Sequence, residues 1–198
     1  AEIRFNTAGI YFISLTVSNN KGSDTKTVNY NYSALATPPG CITTTTNLGG
    51  YSIGIYRFEF NTINNGSGTG NISYEDFSCS ANTIVRAGAT YTAWVTNGNS
   101  YGENAKIYID YNGNGVFTDA NELVGTISNG LGRRSCSVSI LLNPPQLNKF
   151  LRMRVVSDYN TVNASCGTIS YGQSEDYAIW IDKTKPTISI NIPKPTVG

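Results

Sequence analysis

The chain has 198 residues, with 14 Lys and Arg against 13 Asp and Glu, a formal net charge of +1 and no histidine. Scattered, balanced charge leaves no basic footprint for a phosphate backbone, which argues against nucleic acid as a partner, and the lack of histidine removes Ser-His and Cys-His nucleophiles and His-bound zinc. Charged residues are 14% of a composition led by Thr, Tyr, Val, Ile, Asn, Ser and Gly, which suits short strands and polar turns, and no apolar run is long enough to span a membrane.

In chain order, residues 10–18 alternate, with Ile13, Leu15 and Val17 on one face and Ser14 and Thr16 on the other. Asn19-Asn20-Lys21-Gly22 then reads as a hairpin turn, with a partner strand from Asp24 to Tyr32. Together with Phe5-Asn6-Thr7-Ala8-Gly9, this stretch through Thr27 resembles the closing hairpin of a PKD domain, an immunoglobulin-like sandwich. Residues 33–40, small, polar and proline-bearing, read as a linker.

Further strands are expected near 52–60, 72–77, 82–86, 90–96, 105–111, 122–127, 134–142, 149–157 and 176–181, at the spacing of a β-sandwich. In the strand near 149–157, Leu151, Met153 and Val155 are expected to face the core, with Phe150, Arg152 and Arg154 opposite. After Asp182 the composition shifts again, and residues 183–198 read as a tail running into a following domain.

The sharpest local motif runs from Asp110 through Asn112, Asn114, Gly115 and Val116 to Asp119 and Glu122. Oxygen side chains at alternate positions before a glycine suit a hard cation, and calcium is expected, held by Asp110, Asn112, Asn114, the Val116 carbonyl, Asp119 and Glu122. The twelfth position is Asn121 and the flanks are strands, so this is no EF-hand. The pattern fits equally an Asn-Gly turn whose side chains bond their own backbone.

The second motif is Gly172-Gln173-Ser174-Glu175-Asp176-Tyr177. It resembles the G-E-V-E-D-Y signature that closes a GEVED domain, with the first Glu and the Val replaced. Cys41, the Tyr74-Glu75-Asp76-Phe77 segment, the 110–122 motif and the 151–155 strand precede it in the order of that family, so the resemblance covers roughly residues 41–181. It implies a β-sandwich module, without catalysis, of secreted bacterial multidomain proteins such as peptidases and adhesins. Glu175 and Asp176 are adjacent on a strand and point to opposite faces, so they cannot flank one scissile bond; a structural role is expected, with one acid bound to Arg152 or Arg154 or reaching the 110–122 loop.

The expectation is therefore all-β: the end of a PKD-like domain at 1–36, a jelly-roll-like antiparallel sandwich at 37–182, and the tail. The four cysteines are far apart and never form CxxC pairs, which favours disulfides in an oxidising, extracellular compartment. Of the three pairings that four cysteines allow, Cys41–Cys166 and Cys79–Cys136 are expected, because Cys41 opens the domain and Cys166 precedes its closing strand. The partners expected are neighbouring domains of the same polypeptide. A glycan- or protein-binding module using exposed aromatics, Trp94 and Trp180 among them, is the alternative, and ordinary strand composition accounts for those rings equally well.

Overall fold

The computed structural model describes residues 3, 7–33, 35, 41–47, 51–68, 72–162 and 164–184. The expected linker lies mostly outside them, as do Phe5 and Asn6, and the expected tail beyond Thr184 lies wholly outside. Among the described residues there is no helix, and so none long and apolar enough to cross a membrane.

Strands β1 (Gly9–Asn19) and β2 (Gly22–Tyr32) form an antiparallel hairpin closed at Asn20-Lys21. Its two faces differ as the alternation requires. One carries hydroxyl pairs across the strands, Ser14 with Thr27 and Thr16 with Thr25, both at 2.7 Å. The other carries Ile13, Leu15, Val17, Val28 and Tyr30, and Leu15 and Val17 are 67% and 63% exposed.

The remaining strands build a sandwich. Strands β4 (Ile55–Phe60), β5 (Ile63–Gly66), β8 (Thr90–Asn97) and β11 (Arg133–Ser139) form a four-stranded sheet in the order β11-β8-β4-β5. The facing sheet runs β10-β9-β12-β14-β6, from β10 (Leu123–Gly130), β9 (Glu103–Ile109), β12 (Phe150–Asp158), β14 (Gly172–Asp182) and β6 (Tyr74–Asp76). Strand β7 (Asn82–Arg86) pairs with the second half of β14. Between the sheets lies a core that includes Phe58, Ile107, Met153, Val155, Tyr177 and Ile179.

Two features depart from the expected antiparallel pattern. Strands β6 and β7 both run parallel to β14, because the 77–81 turn carries the chain along β14 instead of reversing it. A short parallel pair, β3 (Thr43–Thr45) with β13 (Gly167–Ile169), lies near β14. Strands β3, β5 and β13, each of three or four residues, escaped the sequence reading because so few residues show no period. A second apolar cluster, of Cys41, Tyr108, Phe117, Val156, Val162 and Ile169, covers the outer side of β9 and β12, so β12 is buried on both faces along its whole length.

Cys41 and Cys166 are disulfide-bonded, and the bond bridges 125 residues of sequence. The expected Cys79–Cys136 bond is not formed; both thiols are free. Cys79 lies in the exposed turn between β6 and β7, whereas Cys136 lies on β11, next to β10 at the other edge of the sandwich. A bond needs Cα atoms within about 7 Å, which that placement forbids.

Candidate functional site

The outer face of β12 carries Arg152 and Arg154, as the alternation requires, yet it is not a solvent face: they are 4% and 0% exposed. Register places Arg154 opposite Asp176 on β14, and Asp76 of β6 beside Asp176 on the other side. Two neighbouring carboxylates at such a spot repel unless cations are interposed. Arg152 Nη1 donates to Asp76 and Asp176, both at 2.9 Å, and Arg154 holds Asp176 bidentately through Nε at 2.6 Å and Nη2 at 2.7 Å. Tyr74 adds its hydroxyl to Asp176 at 2.8 Å.

The rest of the Arg154 guanidinium is occupied as well. Its Nη1 donates to the carbonyls of Cys41 at 2.5 Å and Ser165 at 2.9 Å, and its central carbon lies 4.6 Å from the centroid of the Phe117 ring. The planar fork suits this work, since each nitrogen meets a fixed acceptor and the guanidinium lies over an aromatic ring. The disulfide thus closes the lid whose carbonyls satisfy the arginine. Burial pushes the Asp76 carboxyl up, but hydrogen bonds from Ser78 and the Arg152 charge outweigh it and hold the group below the usual range.

The inward face of β14 takes the other half of the motif. Tyr177 enters the core against Phe58, ring centroids 4.9 Å apart, and donates its hydroxyl to Glu175 at 2.6 Å. Desolvation by burial raises Glu175 to about 7, and Glu103 of β9 is likewise raised to about 7. Acids in this range suit proton transfer, but both are 0% exposed. Glu103 was not anticipated; a lone Glu in a polar segment offers no sequence signal. Gly172 is required by backbone approach, because a Cβ there would stand 1.9 Å from the Ser157 carbonyl oxygen.

The 110–122 motif folds into a loop organised by its own backbone. Asp110 accepts from the N–H groups of Gly113 at 2.7 Å, Asn114 at 3.1 Å and Gly115 at 2.9 Å. Asn112 accepts from Asn114, and Asn114 from Val116, each at 2.9 Å. The amide nitrogens of Asn112 and Asn114 converge on Asp119 Oδ2 at 2.8 and 2.7 Å, while Glu122, 1% exposed, accepts from the backbone of Tyr111 and Asp119. Among the described residues, no three Asp, Glu, His or Cys side chains are grouped to hold a metal ion. A cation beside Asp119 would require both amides to turn their oxygens inward.

Both tryptophans are half-buried. Trp180 packs against Phe150, centroids 5.3 Å apart, and Trp94 is roofed by the Arg133 guanidinium at 3.7 Å, itself held by Glu59 at 2.8 Å. Both point outward, as the sequence suggested, and each is partly shielded by its neighbour.

A comparison with curated proteins finds none that matches the chain. Residues 104–180, which run from β9 to β14 and hold the 110–122 loop, both arginines and the Gly172–Tyr177 motif, match the family model of the GEVED domain.

Proposed function

We propose that residues 37–182 are a non-catalytic accessory module of a secreted or cell-surface bacterial multidomain protein, one that spaces, stabilises or attaches a catalytic or adhesive part elsewhere in the polypeptide. The observation that carries this reading is the clamp of Arg152 and Arg154 on Asp76 and Asp176, in which the motif's charged groups are buried and engaged with one another. The Cys41–Cys166 disulfide is compatible with an oxidising, extracellular setting. In the same reading the β1–β2 hairpin belongs to a PKD domain, whose other strands would cover Leu15, Val17 and Val28.

The test is turnover by the purified chain on peptide and polysaccharide substrates. The expected result is no cleavage above background. Cleavage that Glu175→Gln or Asp110→Asn abolishes, with the fold intact by circular dichroism, would replace this reading with an enzyme.

Calcium at the 110–122 loop is a second, separate proposal, supported by the oxygen side chains at Asp110, Asn112 and Asn114 before Gly115 and by the carboxylates of Asp119 and Glu122 in the same loop. With few carboxylates among the ligands, its affinity belongs to the extracellular class, on the order of 10⁻⁴–10⁻³ M. Calorimetric titration should show heat and a raised melting temperature at millimolar calcium. Absence of both leaves the loop as a self-bonded turn.

A further inference from the structure

Four loop segments meet at one end of the sandwich: those before β4, between β8 and β9, after β12 and before β14. Each brings one tyrosine. Tyr51, Tyr101, Tyr159 and Tyr171 form a closed ring of contacts, with successive centroids 6.3, 5.9, 6.3 and 5.8 Å apart and successive planes at 76°, 89°, 78° and 86°. Tyr51, Tyr101 and Tyr159 are 49%, 43% and 45% exposed, so the rings are open to solvent.

This end is braced from below. A Cβ at Gly98 would stand 2.0 Å from the Ser52 carbonyl oxygen, so glycine lets the Tyr51 and Tyr101 segments touch. Glu103 accepts from the Gly54 N–H at 3.0 Å and the Ser157 hydroxyl at 2.7 Å, Asn97 donates to the Gly54 carbonyl at 2.8 Å, and Gln173 accepts from the Ile55 N–H at 3.0 Å. All four side chains are buried and together tie the four segments. Asp158 accepts from the N–H groups of Asn160, Ser170 and Tyr171 at 3.0–3.1 Å, fixing Tyr159 against Tyr171. Beside them lies a cavity of about 300 Å³ lined in part by Asn160, Thr161, Thr168 and Ser170.

We infer that this tyrosine ring is a binding site for a neutral carbohydrate, specifically a single sugar or the end of a soluble chain. Three observations select that ligand. The segments 51–54, 97–102, 159–161 and 170–172 contain no charged residue, the adjoining Asp158 and Glu103 are buried and hydrogen-bonded, and the adjoining Arg134 is committed to Asn97 Oδ1 and the carbonyls of Glu103 and Ser128, which leaves phenols, amides and hydroxyls to meet a polyol. At roughly 200 Å² per tyrosine, the exposed share of the three open rings amounts to roughly 300 Å², far below the about 800 Å² per partner of a standard protein interface but sufficient for one or two sugar rings. The near-perpendicular planes make corners and not a flat platform, so a crystalline polysaccharide surface cannot lie across them. Pre-positioned rings on a hydrogen-bonded base lose little entropy on binding.

The site rests on the proposed accessory role in taking the module to hold a sugar without cleaving it. The experiment is a neutral glycan array on the full chain, followed by calorimetry and product chromatography with gluco-, manno-, xylo- and galacto-hexasaccharides. Binding of at least one neutral oligosaccharide is expected, with no binding to crystalline cellulose. Tyr101→Ala and Tyr159→Ala should each weaken it about tenfold, equal to about 1.4 kcal/mol, with circular dichroism unchanged, and Trp94→Ala should leave it within about twofold. No binding across the array, preference for charged glycans or a protein, or affinity indifferent to both tyrosine changes would overturn the site. Cleavage of a bound hexasaccharide would overturn the accessory reading and leave the site standing.

Discussion

The two faces of the β12–β14 pair are equally buried and chemically opposite. Inward, Met153, Val155 and Ile179 meet the four-stranded sheet; outward, Arg152, Arg154 and Asp176 meet a lid of short strands and loops. For the apolar side chains of the inner face, non-directional burial suffices, and a volume-conserving change is tolerated. On the outer face each charge persists only through named partners, because an ion taken out of water without compensation costs several kcal/mol. The comparison teaches that the closing motif is read twice, once by each face: Glu175 and Tyr177 inward, Asp176 outward.

The largest way to break the outer face is to open its lid. The Cys41–Cys166 bond closes 125 residues, and in the chain-entropy model its loss costs about 5 kcal/mol. A Cys41→Ala, Cys166→Ala variant should show that drop in chemical denaturation. An unchanged midpoint would mean that the lid is held by packing alone.

The inner face is sharpened by pH. Glu175 and Glu103 have folded-state values raised to about 7 against 4.5 ordinarily, so between these values the folded state binds more protons than the unfolded one. Their contribution is therefore present below about pH 4.5 and is lost as pH rises through about 7, on the order of 3 kcal/mol per group. Asp76, held low, acts oppositely: its contribution is present above its unfolded value of 3.8 and fades as pH falls. Melting temperature should peak at about pH 4–4.5 and decline toward about pH 7, with a shallower decline in Glu175→Gln. An equally steep decline in that variant would assign the effect elsewhere.

The smallest effect is expected at the exposed thiol. Cys79→Ser should change stability by less than about 0.5 kcal/mol, since surface substitutions away from specific contacts do little. A larger loss would restore a role for Cys79 in the fold.

Much of this architecture is legible in the sequence because the 150–158 strand alternates, which places Met153 inward and Arg152 and Arg154 opposite. What alternation cannot say is that the opposite face is also covered. That depends on Phe117, Val162 and Ile169, distant in sequence and without a period of their own. The same limit explains the misplaced cysteines: Cys79 and Cys136 remained after Cys41 and Cys166 were paired, but which sheet edges they occupy is a matter of topology. The four tyrosines at 51, 101, 159 and 171 form no sequence cluster, and adjacency arises only because four segments end together. The 110–122 spacing was legible as a loop, whereas the direction of its amides was not.

The central claim, that the motif's charges clamp the fold, is tested most directly by a double-mutant cycle on Arg154 and Asp176 read by equilibrium denaturation. Each single change, Arg154→Met or Asp176→Leu, leaves a buried charge without its main partner and should cost about 3–5 kcal/mol, while the double variant should recover most of that loss. Single losses that simply add in the double variant, or singles within about 0.5 kcal/mol of the parent, would contradict the clamp.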